Sequence, residues 1–116
     1  MNTIAKDTLK KYQDELTAIL DEHQIWKDDV FILNGKIMPD IFFQIDIEVH
    51  GDWKHDHLHC DYLVKEYLKE KDFMLTGANN QITESDETDS YSSIHTYYVC
   101  IDKDMGQKLS YLINGN

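Results

Sequence analysis

The amino-acid sequence predicts an α+β fold: an antiparallel sheet of about four to five strands, helices packed on one face, and an N-terminal helix. Three observations lead there. Two stretches carry apolar residues at helical spacing, one stretch alternates apolar and polar residues strictly, and several short β-rich runs lie between turn-forming residues. With 116 residues, one small globular domain over 1–116 is expected.

Ile4, Leu9, Tyr12, Leu16, Ile19, Leu20 and His23 recur every three to five positions, which aligns them on one face of a helix of roughly 20 residues. Val30–Leu33 and Lys36–Met38 then flank Asn34-Gly35, a pair that tolerates the positive φ of a type I′ turn, so a tight hairpin is expected. Pro39, the single proline, reads as a turn or strand-edge residue. Residues 41–50 give the clearest strand: Phe43, Ile45, Ile47 and Val49 alternate with Gln44, Asp46, Glu48 and His50, one face covered and one wet.

After Gly51, Cys60, Leu63, Val64, Tyr67 and Leu68 mark a helix over 54–70, with Asp52 or Asp56 available as its N-cap. Phe73–Thr76 and Ile94–Ile101 read as two further strands. The polar stretch 77–93 between them reads as a loop, since its acidic run 84–89 repels itself and stays solvated. Met105, Leu109, Leu112 and Ile113 suggest a short closing helix. Strand 41–50, helix 54–70 and strand 73–76 fit a split βαβ unit, as in ferredoxin-like cores, with strand 94–101 lying between and antiparallel to both.

Charge narrows the function. Acidic residues number 22 against 11 lysines, with no arginine, and the formal net charge is −11. Nucleic-acid binding draws its affinity from cations on phosphates and its commonest base contact from arginine, so direct nucleic-acid binding is disfavoured. The same sign disfavours an anionic membrane surface. A basic protein surface or a cation is the partner such a field attracts, although a charge of this size also serves solubility alone. The residues expected to meet a basic partner are Asp46 and Glu48 on the wet strand face and Glu84, Asp86, Glu87 and Asp89 in the acidic run. An interaction module of this kind would present carboxylates where a nucleic-acid-binding enzyme expects phosphates.

No stretch approaches a membrane span, and the N-terminal residues lack the apolar run of a secretory leader. Cys60 and Cys100 are too few for a disulfide framework. Free thiols in a reducing cytoplasm are expected.

One segment stands apart. Residues 50–61 hold four of the six histidines, a thiol and three aspartates. Imidazole, thiolate and carboxylate are the ligands of divalent transition metals such as zinc, and imidazole carries protons near neutral pH. If the segment were extended, His55, His57 and His59 would share a face. If it is helical, which the downstream period favours, His55 pairs with His59, Asp52 lies one turn before, and His57 turns toward the Asp56, Cys60 and Val64 side. The metal ligands expected are His55, His59, Asp52 and His95. Antiparallel pairing of 41–50 with 94–101 brings His50 and Asp52 near Tyr91, Ser92, Ser93 and His95. A cleft using His50, Asp52, His55, Tyr91, Ser93 and His95 is therefore the expected place for metal-dependent or acid–base catalysis. Trp53 reads as core.

Overall fold

The computed structural model describes residues 3–85 and 90–113. Helix α1 (Lys6–Glu22) turns Leu9, Leu16 and Leu20 inward, with Tyr12 and Ile19 partly buried beside them. It closes on Gln24, whose φ of 58° lets Ile25 N donate back to Leu20 O at 3.1 Å. Helix α2 (His59–Glu70) closes the same way: Asp72 takes a φ of 60° and Phe73 N donates to Leu68 O at 2.9 Å. Between the two helices, Tyr67 Oη donates to Glu15 Oε1 at 2.7 Å and Lys71 pairs with the same oxygen at 3.1 Å. The Tyr67 bond is the main cause holding the Glu15 carboxyl below its ordinary range.

Four antiparallel strands form the sheet, in the order β1 (Phe31–Asn34), β2 (Phe42–Asp52), β4 (Ser90–Cys100), β3 (Met74–Ser85). β2 and β3 both run antiparallel to β4, which lies between them, so the crossover through α2 is a split βαβ unit. The β-α-β-β-α-β succession of a ferredoxin-like chain is not followed. α1 and β1 precede the split unit here, and β1 joins the sheet beyond β2.

Three expectations, two on strands and one on a helix, need correction. The Asn34-Gly35 hairpin does not form: Asn34 pairs with Phe43, Gly35 N donates to Phe42 O at 2.9 Å, and residues 36–41 make a wider connection. Asn34 Nδ2 instead donates to the carbonyls of Ile4 and Pro39, tying the start of the chain to this connection. The polar stretch 77–93 is not a loop over its described part, and 86–89 of the acidic run lie outside the described residues. Residues 77–85 belong to β3 and 90–93 to β4, with two register shifts on β3. β3 is an edge strand whose outer residues face water, so the backbone ladder holds it without an apolar signal. The third correction concerns the predicted helix start, where Trp53–Leu58 form a π-helical turn before α2 begins.

Alternation in β2 is as the sequence reads. Phe43, Ile45, Ile47, Val49 and Gly51 are buried on the α1–α2 side, joined there by Tyr97 and Val99 of β4. Helix α3 (Lys103–Ile113) lies on the other side, where Gly106 comes close to Cys100 and Met74. Both cysteines are free and buried, and burial pushes the Cys60 thiol up to about 12. Among the described residues no helix is long and apolar enough to cross a membrane.

Candidate functional site

The two-residue period of a strand decides which polar groups meet. In the β2–β4 register, His50 lies opposite Ser92 and Asp52 opposite Ser90, while Ile47 lies opposite His95 and Val49 opposite Ser93. His50, Asp52 and Ser92 therefore belong to the face away from α1 and α2, and Tyr91, Ser93 and His95 to the helix-covered face. The single cleft expected from the sequence is divided by the sheet itself.

On the open face, Trp26 and Asp28 continue the sheet edge beside β2, with His50 N donating to Trp26 O at 2.8 Å and Asp28 N to Glu48 O at 2.9 Å. His50 is thereby held between two partners. Its Nδ1 lies 2.6 Å from Ser92 Oγ and its Nε2 lies 3.0 Å from Asp28 Oδ1. A carboxylate only accepts, so Nε2 carries the proton and Nδ1 accepts from the Ser92 hydroxyl. A cavity of about 290 Å³ adjoins this relay, lined by Trp26, His50, Gly51, Glu84, Tyr91 and Ser92. Ser92, not Ser93, is the serine that meets His50; Ser93 is fully buried and its hydroxyl has no partner among the described residues.

Asp46, Glu48 and Glu84 share the open face, as their register with Thr96, Ile94 and Ser92 requires. Gln44 Nε2 and Thr96 Oγ1 hold Asp46. Asp86, Glu87 and Asp89 lie outside the described residues. Interleaved with these carboxylates are exposed Phe31, Leu33, Tyr98 and Trp26. None of the four strands contains a lysine, so the sheet carries acidic charge alone.

The expected metal ligands do not converge. Asp52 and His55 gather with Asp56, their ligand atoms within 4.8 Å of one another, and Asp28, Glu48 and His50 form a second such group. His59 instead packs against His23 with ring centroids 5.0 Å apart, and 6.4 Å from His55. His95 is on the other face of the sheet. Asp56 plays a structural part. Its carboxylate accepts from Trp26 N at 3.2 Å and Asp52 N at 3.0 Å, and Asp52 in turn caps the π-turn by accepting from His55 N. Gly51, at φ 107°, makes room for that carboxylate; a Cβ there would overlap Asp56 Oδ2.

On the helix-covered face the π-turn swings His57 inward. Its Nδ1 lies 3.0 Å from His95 Nε2, and its Nε2 lies 3.0 Å from the Tyr91 carbonyl. Tyr91 stacks on the His57 ring at 4.3 Å, and Trp53 stacks on the outside of both. Trp53 is 42% exposed, so it is not a core residue. Burial, then the neighbouring His57, pushes His95 down to about 4. Sequence reasoning misses Asp28, brings Ser92 near His50 but leaves it out of the cleft, and turns His57 toward Asp56, Cys60 and Val64 rather than toward His95. Ser92 could have been found by applying strand parity to the β2–β4 pairing, whereas nothing local marks a π-turn.

The fold and these two faces define a small acidic α+β domain whose second sheet face is covered by α3 at the Cys100 end and open beyond it. No protein-family model, curated protein or solved structure matches the chain.

Proposed function

We propose that the protein is an interaction module whose open sheet face docks on a basic protein surface, of the kind that otherwise holds nucleic-acid phosphates. The observation that carries this reading is the lysine-free sheet, on which Asp28, Asp46, Glu48 and Glu84 surround exposed aromatic and aliphatic side chains. Aromatics at the centre of an interface supply affinity, and charge complementarity supplies rate and selectivity. The test is capture from the native host at low salt with wild type, Glu48→Lys and Tyr98→Ala. A basic protein retained by wild type, lost to both variants and displaced by heparin supports the reading. Retention that ignores both substitutions, or no specific retention, refutes it.

A second reading, acid–base catalysis, is favoured by the Ser92–His50–Asp28 relay beside its cavity. In it, Ser92 Oγ bonds to an acyl carbon or phosphonyl phosphorus while His50 Nδ1 takes the hydroxyl proton and Asp28 holds the imidazolium. The bond to the leaving group (fluoride in the probe) then breaks, and the departing group carries off the electron pair and takes the proton from His50. A fluorophosphonate probe should label Ser92 in wild type and leave His50→Ala unlabelled. An unlabelled wild type removes this reading and leaves the first intact.

A further inference from the structure

The cleft between the π-turn and strands β3 and β4 takes no part in either reading. It has a cavity of about 200 Å³ lined by Trp53, His57, Leu58, Asn80, His95 and Tyr97 among others. Its hydrogen-bonding order follows from one fixed point. The Tyr91 carbonyl can only accept, so the Nε2 of His57 carries a proton. His57 is 1% exposed and bonds to no carboxylate among the described residues. A neutral imidazole has a single ring hydrogen, and here the carbonyl takes it. Nδ1 of His57 is therefore a lone pair, and Nε2 of His95, 3.0 Å away, has to donate to it. A neutral His95 then keeps a second lone pair on Nδ1, for which the described residues supply no hydrogen.

The rest of the cleft selects what can use that lone pair. Trp53 and His57 both line the cleft with their ring planes 22° apart, His57 is backed by Tyr91 stacked at 4.3 Å, and the indole is exposed. Asn80 lies directly across the register from His95 and is exposed. The lining contains Asp61 and no lysine, which disfavours an anion. The cavity is smaller than the roughly 300–1,000 Å³ of drug-sized sites, so the occupant is a ring or two. A π-helical turn is rare and concentrates at functional sites, which fits a segment shaped to aim His57 and Trp53. We propose that this cleft binds a small uncharged planar nitrogen heterocycle of nucleobase size, donating one N–H to His95 Nδ1 and stacking on Trp53.

The test is NMR titration of the full chain with benzimidazole, adenine, 1-methylbenzimidazole and benzoate at neutral pH. In the free protein, side-chain nitrogen shifts should show His95 protonated on Nε2 only. Benzimidazole and adenine should saturate, moving His95 and the Trp53 indole. 1-Methylbenzimidazole, which has no N–H, should bind about tenfold more weakly, the loss of one hydrogen bond in a desolvated site. Benzoate should not bind. Trp53→Ala, at a half-exposed position, should fold and weaken benzimidazole by a similar factor, as should His95→Phe. Protonation of His95 on Nδ1, no saturation by either N–H ring, equal binding of the methylated ring, or binding indifferent to both variants overturns the proposal. The titration uses purified chain without partner, and its variants alter no open-face residue, so its failure is distinguishable from failure of the capture and labelling experiments.

Discussion

Replacing Gly51 by alanine places a methyl group on Asp56 Oδ2 and 2.8 Å from its Cγ, at a backbone φ of 107° that a side chain resists. Holding alanine there costs about 1–3 kcal/mol. The carboxylate has to withdraw, and the Trp26 and Asp52 amides lose their acceptor. At about 1 kcal/mol for each lost hydrogen bond, the total is about 3–5 kcal/mol. That is a large part of the roughly 5–15 kcal/mol that holds a domain folded. With a urea slope of about 2 kcal/mol per molar, the unfolding midpoint should fall by about 2 M, followed by tryptophan fluorescence. Gly77→Ala is the control, since its Cβ would come no closer than 3.4 Å to the Tyr98 ring. Asp56→Asn should fall between the two, because one amide oxygen replaces two carboxylate oxygens. A Gly51→Ala midpoint within about 0.5 M of wild type (about 1 kcal/mol) would show that Asp56 does not organise this corner.

Other consequences are as direct. Ser93→Ala removes a buried hydroxyl that has no partner among the described residues, so thermal unfolding should show a gain of about 1 kcal/mol; a loss of that size would mean the hydroxyl is bonded. His95 titrates near 4 when folded against about 6.5 when unfolded, so the unfolded chain binds the extra proton between those values. Its contribution is complete above pH 6.5 and is lost as pH falls toward 4, by at most about 1.4 kcal/mol per pH unit. Urea midpoints measured from about pH 7 to 5 should therefore decline, and His95→Gln should flatten that decline; a wild-type midpoint constant over this range contradicts it. Cys60 is pushed up to about 12 by burial, and the Cys100 thiol is raised for the same first reason. Neither should react with a thiol reagent at about pH 8 until the chain unfolds, and fast modification of native protein would contradict their burial.

What the sequence discloses depends on whether a residue's environment is written next to it. β2 is legible because its own alternation records which side is buried, and the central part of β4 can be recognised by its β-branched and aromatic content. β3 is not, because Asn79, Asn80, Gln81 and Glu84 meet water and are held by hydrogen bonds to a strand several residues away. The proximity of His50 to residues 91–95 is legible from antiparallel pairing. The separation of His50 from His95 needed only strand parity, yet the histidine density of 50–59 suggested convergence. The inward turn of His57 depends on one extra residue of helical pitch, set by Asp52 and Asp56 capping and by a glycine with positive φ.

β4 is a shared wall. Ser92 steadies His50 on one side, while the carbonyl of Tyr91, one residue earlier, anchors His57 on the other. Two sites back to back across a single strand cannot be loaded independently if either shifts that peptide unit. Under the two proposals made above, a ligand drawn into the histidine cleft would then alter the open face's affinity for a basic protein, and that protein would return the same factor to the ligand, since linkage runs equally in both directions. A four-stranded domain of this size could in that way report the presence of a small molecule to a protein bound on its far side.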